Sequence, residues 1–259
     1  MNISRLLSWL SGEQTVIDKL NAKCLELEAR LAAVEEMSTD YHRNRRNAIF
    51  NIADYLVNAE IEGDYAEFGV FEGKTFAYAN KLMGPLFPDM RFWAFDSFEG
   101  LPEPRGVDCE NDFSSGFFKG QFACSREQFL KNLQSWKADI SKVVTVPGWF
   151  DKSLSPDGAK KLDIGKICCA WIDVDLYDST VPILKFIKDR LPVGAVVVFD
   201  DWHCYRNLPR FGEQLACKEW LQDNPTVVLN DFISFGFHGK AFTVGEHHSH
   251  VETVQTNGR

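Results

Sequence analysis

The chain has 259 residues, 45 % hydrophobic and 25 % charged, the proportions of a globular protein with enough apolar material for one sizeable core. Its net charge of −9 argues against nucleic acid or an anionic membrane surface as the main partner and favours a neutral or cationic small ligand. No apolar stretch approaches the ~20 residues that cross a bilayer, and the seven cysteines form no CxxC pair and read as reduced thiols of a cytoplasmic protein.

The opening MNISRLLSWLSGE lacks a long apolar core and a cleavage site, so it reads as a short packing helix. From Ile17 the apolar positions run Ile17, Leu20, Cys24, Leu27, Leu31 and Val34, in steps of three and four. That is a coiled-coil spacing under three heptads long, compatible with intramolecular packing or with a dimer seam. Ser38, Thr39 and Asp40 are expected to cap a second helix over residues 40–58. Its basic cluster, His42, Arg43, Arg45 and Arg46, reads as a solvated face. The domain boundaries expected are a helical extension over 1–39, the main domain over 40–245 and a loose tail over 246–259.

After Gly63 short apolar runs alternate with helical stretches, among them DYAEFGV, MRFWAFD, KVVTVPG, KICCAWIDV and VGAVVVFDD. This predicts parallel βαβ units with helices on both sheet faces. TVVLNDFISFGF, the turn His238-Gly239 and KAFTV predict an antiparallel hairpin at the end of the sheet.

In YAEFGVFEGKT the glycines are Gly69 and Gly73, a Gly-x-x-x-Gly spacing, so the dinucleotide fingerprint Gly-x-Gly-x-x-Gly is absent. An acid, Glu67, followed by this tight turn suits a ligand without phosphates whose positive end faces the acid. S-adenosylmethionine, with its ammonium and sulfonium, is such a ligand. Asp96 ends the next strand 23 residues beyond Gly73, where doubly wound folds commonly place an acceptor for ribose hydroxyls. Helix or turn capping, aided by Ser97, is the plain alternative.

The blocks GDYAEFGVFEGKT, FDSFEGLPEP, KGQFACS, VPGWFDKSL, IDVDLYDST and VVVFDDW occur in that order, and together they resemble the macrocin O-methyltransferase family. The resemblance implies an α/β, Rossmann-like class I methyltransferase fold, with a seven-stranded, mostly parallel sheet and an antiparallel C-terminal strand, preceded by N-terminal helices. It implies S-adenosylmethionine and Mg²⁺ as cofactors and a hydroxyl-bearing small molecule, sugar-bearing in many members, as substrate. It puts metal ligands on Asp173, Asp200 and Asp201. Cofactor contacts would fall on Glu67, Gly69, Gly73, Thr75, Asp96, Ser97, Gly148, Trp149 and Asp173. Asp173 is also the family's proposed proton acceptor. Residues 1–39 have no counterpart in the resemblance, and a homodimer or higher oligomer is the expected assembly.

Spacing supports the metal reading independently. Asp173 ends ICCAWID and Asp200 ends GAVVVFD 27 residues later, about the length of a βαβ unit. If the two strands are neighbours, their ends lie ~4.8 Å apart and three carboxylates meet at the edge where open α/β sheets bind ligands. Hard oxygen donors suit Mg²⁺, which would acidify a substrate hydroxyl. A carboxylate on a cation is a feeble base, which makes His203, two residues past Asp201, the alternative acceptor. Asp175 is expected to orient Asp173 or cap the helix near Tyr177, and Glu213 to be a solvated helix position. Phe113, Phe117, Phe118 and Phe122, in the segment 104–122, would either form an aromatic lid or pack that loop down. Two rivals stand beside this reading: a glycosyltransferase using the Asp-x-Asp of residues 173–175, and a non-catalytic protein of the same fold.

Overall fold

The structure, a computed structural model, describes residues 3–109 and 116–246, with the side chains of the first helix described for residues 18–34, 37 and from 39 onward. Phe113 and residues 247–259, which hold the expected tail, lie outside the described residues. The chain divides into two units, residues 1–44 and 45–259.

The first helix, α1, runs from Ile3 to Asn58 without a break. The expected cap at residues 38–40 is therefore corrected to helix interior. No glycine or proline stands near residues 38–40, and Asp40 pairs with Arg43 one turn on, which satisfies the acid inside the helix. In the second unit, α1 buries Ala48, Ile49, Ile52, Ala53 and Leu56, the 3-4 periodicity of a helix packed on a core.

The strands are β1 (Asp64–Phe68), β2 (Phe92–Asp96), β3 (Val143–Pro147), β4 (Ile167–Ile172), β5 (Val196–Phe199), β6 (Val228–Phe235) and β7 (Gly239–Gly245). They form one sheet in the order β3-β2-β1-β4-β5-β7-β6. Pairing is parallel from β3 through β5, and β7 runs against both neighbours as the expected hairpin. The remaining helices are α2 (Lys74–Leu86), α3 (Arg126–Ser135), α4 (Phe150–Ser153), α5 (Pro156–Ala159), α6 (Tyr177–Ile187), α7 (Cys204–Asn207) and α8 (Gly212–Asp223).

Burial on both faces explains why β4 and β5 read as unbroken apolar runs. Tyr65, Phe92, Trp171, Val196 and Val198 pack on one face with Ile52, Leu56, Phe76 and Phe129. Phe68, Phe95, Ile172, Val197 and Phe199 pack on the other with Ile183, Ile187 and Trp220.

The register places the site. Phe68 pairs with Phe95 and Ile172, and Ile172 with Phe199. One hydrogen bond then extends each ladder by a rung: Gly69 N–H to Phe95 O at 2.9 Å, Asp173 N–H to Phe68 O at 2.9 Å, Asp200 N–H to Ile172 O at 2.8 Å and Gly148 N–H to Asp96 O at 2.9 Å. Gly69 sits in this row with φ +83°, and a Cβ there would collide with the Asp173 carbonyl oxygen. Gly69→Ala should therefore cost more than the ~1–2 kcal/mol of a left-handed L-residue. Urea unfolding at constant m-value is the measurement, and a loss below ~1 kcal/mol would contradict this packing.

Candidate functional site

At the carboxyl edge, the ends of β4 and β5 bring Asp173, Asp200 and Asp201 together, with ligand oxygens within 4.8 Å of one another. Asp200 and Asp201 are buried and Asp173 is partly exposed. Three acids so close demand compensation, and the groups that supply it come from elements far apart in sequence.

Arg45, on the last α1 turn before the core stripe, is only 12 % exposed. Its guanidinium ion-pairs with Asp173 Oδ2 at 3.0 Å and with Asp200 Oδ2, and it donates to Thr75 Oγ1 at 3.3 Å. The expected solvated basic face is thus corrected for Arg45. It stands one turn before Ile49, on the stripe that faces the sheet, where a long charged side chain reaches the buried acids. His238, in the β6–β7 turn, is buried, with Nδ1 2.6 Å from the Asp200 carbonyl oxygen and 3.3 Å from Oδ2. Burial alone would raise the Asp200 pKa, yet Arg45 and His238 hold it below the usual carboxylate range. Burial likewise pulls His238 down, and its bonds to Asp200 more than reverse this.

Around this pair lies a shell of acids. Glu213 at the start of α8 is buried, and its Oε2 accepts the Asp201 N–H at 2.9 Å, which corrects the expected solvated position. Asp175 donates its N–H to Asp201 Oδ2 at 3.2 Å. The expected capping role falls instead to Asp108, whose two oxygens accept the N–H groups of Tyr177 and Asp178 at 2.8 and 3.1 Å.

The other half of the edge is built by Asp96. Its Oδ2 accepts from Val70 N–H at 2.8 Å and Phe71 N–H at 3.3 Å, and its Oδ1 from Phe98 N–H at 2.6 Å. It thereby ties the first βα turn to the end of β2. Gly73 begins α2 at φ +90°, against the Phe129 ring. Ser97 closes the next turn, donating to Gly100 O at 2.8 Å and accepting from Glu99 N–H at 3.0 Å. Trp149 precedes α4 directly after Gly148. Glu67 is buried beneath this edge, with Oε2 accepting the Tyr65 hydroxyl at 2.5 Å. The register therefore joins Pro147, Asp96, Gly69, Asp173 and Asp200 in one row, with Gly148 one rung beyond, whereas Glu67 reaches it from within the core.

Strain concentrates at the same edge. Phe71 after β1, Phe98 after β2, Asp175 after β4 and the run Tyr205–Asn207 after β5 all have φ between 45° and 58°. Non-glycine residues held there cost ~1–3 kcal/mol each and cluster where ligands are handled. His203 lies in the turn after β5. Its N–H donates to His238 O at 2.7 Å, and its Nδ1 is 3.1 Å from Asn207 Oδ1. That oxygen also accepts from Gln214 Nε2 at 2.8 Å. Of the expected lid aromatics, Phe117 faces the Tyr205 ring at 6.2 Å, Phe122 faces Phe71 at 5.8 Å and Phe118 is exposed.

Three hard oxygen donors within reach of one another fit a small divalent cation, and the guanidinium between two of them shows that the pocket accepts positive charge. The glycine turn and Asp96 fit a ligand whose backbone approaches closely and whose hydroxyls need an acceptor.

Sheet order, a reversed β7 and acids at the ends of β2, β4 and β5 define a class I methyltransferase fold. The profile of the macrocin O-methyltransferase family (TylF) matches residues 34–226, and the chain belongs to that family. It is similar to the 8-demethyl-8-(2,3-dimethoxy-alpha-L-rhamnosyl)-tetracenomycin-C 4'-O-methyltransferase of Streptomyces olivaceus, 31 % identical over 147 residues, 55 % of this chain and 54 % of that one. It is also similar to the demethyldecarbamoylnovobiocin O-methyltransferase of Streptomyces niveus, 25 % identical over 150 residues, 57 % and 55 % of the two chains. The chain spans about half the length of the curated relatives it matches. In architecture it is similar to the O-methyltransferase NovP, with TM-score 0.65, 21 % identity and 78 % and 80 % of the two chains covered. The calicheamicin methyltransferase CalS11 gives 0.61, 22 %, 76 % and 77 %.

Two predictions follow from the charges. Removing one partner of a buried ion pair costs ~3–5 kcal/mol, so Arg45→Met should lose that much in urea unfolding without divalent cations. The exposed Arg43→Met should change by ~0.5 kcal/mol or less. Burial, with the neighbouring acids adding to it, raises Asp173, Asp201 and Glu213 well above the carboxyl range and pushes Asp175 up to about 8. Such groups hold more protons folded than unfolded, so the stability they contribute is complete below about pH 4 and is lost as pH rises through their raised pKa, about 8 for Asp175. Asp200, depressed, contributes oppositely and only near or below about pH 4. Calorimetry in EDTA should show the melting temperature falling between about pH 6 and about pH 8.5, and a flat profile would contradict this arrangement.

Proposed function

We propose that the protein is an S-adenosylmethionine- and Mg²⁺-dependent O-methyltransferase acting on a hydroxyl of a sugar or sugar-bearing small molecule, such as a natural product or polysaccharide precursor. The observation that carries the reading is the single register row in which the glycine turn and Asp96 adjoin Asp173 and Asp200. Family membership supports the reaction type, and the tetracenomycin relative, named for a rhamnosyl-bearing compound, supports the substrate class.

S-adenosylmethionine would supply an electrophilic methyl group on sulfur. Mg²⁺ would supply the positive charge that lowers the pKa of a hydroxyl. Asp173, Asp200 and Asp201 would hold the metal. For the cofactor, Asp96 would accept ribose hydroxyls with the lone pairs its three amide donors leave, and Gly69 and Gly73 would let the ligand approach the backbone. Thr75, Ser97, Gly148 and Trp149 border the same edge, and Glu67 would add negative charge beneath the cofactor's cationic end. Asp173 is the first choice for the proton acceptor, at the junction of the two halves. His203, in the turn two residues past Asp201, is the second. The paired rings of Phe117 with Tyr205 and Phe122 with Phe71 give apolar surface for a sugar or aglycone. The free cysteines fit a reducing compartment.

Thermal shift with S-adenosylhomocysteine, UDP or GDP, each with and without Mg²⁺, tests the class. The adenosyl ligand at a hundred times its Kd should stabilise by ~2.7 kcal/mol, and the nucleotides should not. Stabilisation by UDP with Mg²⁺ and none by the adenosyl ligand would favour sugar transfer through Asp173 and Asp175. Asp173→Asn should abolish methyl transfer and weaken Mn²⁺ binding followed by electron paramagnetic resonance. Full activity in excess EDTA would exclude a metal role.

A further inference from the structure

The first unit carries an apolar seam that its own residues leave uncovered. Within α1 the side chains of Leu20, Leu27, Leu31 and Val34 are 60 %, 51 %, 59 % and 60 % exposed. Their spacing of seven and of three or four assigns a positions to Ile17, Cys24 and Leu31 and d positions to Leu20, Leu27 and Val34. A helical stretch of this length draws its stability chiefly from packing of its apolar face rather than from propensity, so a covering partner is expected.

The flanking charges specify which partner. Counting from the seam, Lys23 and Arg30 take successive g positions, and Glu28 and Glu35 take successive e positions. In a parallel, in-register pair, each g residue faces the e residue five places on in the other strand. That sets Lys23 against Glu28 and Arg30 against Glu35, opposite charges on both sides of the seam. An antiparallel pair brings g against g and e against e, cation against cation and acid against acid. The intrahelical contacts of Glu26 with Lys23 at 2.8 Å and Arg30 at 3.9 Å are between exposed side chains and of the kind worth ~0.3–0.5 kcal/mol, too little to hold the cations from a better arrangement.

We infer that residues 17–34 form a parallel, in-register two-stranded coiled coil with a second copy of this chain. The inference is independent of the methyltransferase reading and survives its failure. It also gives Cys24 a definite position: an exposed thiol at a, facing the same residue of the other copy across the seam.

The test uses the full chain. Sedimentation equilibrium at micromolar concentration should give twice the chain mass. K23E/R30E and E28K/E35K, each turning attraction into repulsion along the seam, should each weaken the dimer about tenfold or more, while leaving the thermal melt of the main domain in place. Mixing the two variants should restore a heterodimer. Diamide, which takes up the two protons and two electrons released as two thiols join, should cross-link the wild type through Cys24 and leave Cys24→Ser uncross-linked. A monomer, a trimer, a dimer indifferent to both charge reversals, or a dimer that fails to cross-link at Cys24 would each overturn the inference.

Discussion

Strands β1, β4 and β5 end on one rung of their hydrogen-bond ladder and β2 and β3 one residue further, so that all five give one residue to a common row at the carboxyl edge. Parallel pairing with fixed register leaves little freedom in this row, because a slip of one residue would send every side chain of a strand to the opposite face. Gly69 occupies its centre, where any side chain would strike the Asp173 carbonyl. The close approach of β1 to β4 that glycine allows is what puts the first βα turn and a carboxylate cluster side by side. The positive-φ residues after β1, β2, β4 and β5 follow from the same geometry, since the chain must turn sharply to leave a crowded row.

The row creates an electrostatic problem, and its solution draws the rest of the molecule together. Asp200 is fully buried beside two other acids. Arg45 from the helix before the sheet and His238 from the hairpin after it both lean on that one carboxylate. Glu213 secures the Asp201 backbone from a third direction. Asp200 remains charged, while its neighbours are pushed toward neutrality. Such a cluster is prepared for positive charge, and a tethered guanidinium supplies some of it from the chain itself.

Much of the framework was legible in one dimension. Apolar runs of strand length, broken at Gly69, Asp96, Asp173 and Asp200, gave the order of elements and the acids at their ends. The 27-residue interval between Asp173 and Asp200 anticipated the β4–β5 pairing that the sheet shows. Two misreadings share a cause. Their charge points Arg45 and Glu213 toward solvent, yet both lie on their helix's buried stripe: Arg45 one turn before Ile49, and Glu213 in step with Ala216, Cys217 and Trp220. Helical period, weighed above residue type, would have placed them. Ser38–Asp40 misled in the opposite sense, since residues that cap a helix also fit inside one when a partner such as Arg43 stands a turn away.

The sequence by itself determined what is periodic or local: strand and helix order, the glycine turn, the acids at strand ends and the heptad seam with its charges. Each depends on residues within a few turns of one another, so a linear pattern carries it. Only the tertiary structure decided that Arg45, Thr75, Asp173, Asp200 and His238 meet, and that Asp108 rather than Asp175 caps α6. These partners are separated by up to 155 positions in the chain. They are chosen by which groups the folded sheet leaves buried with unbalanced charge, and that balance exists only once the chain has closed around it.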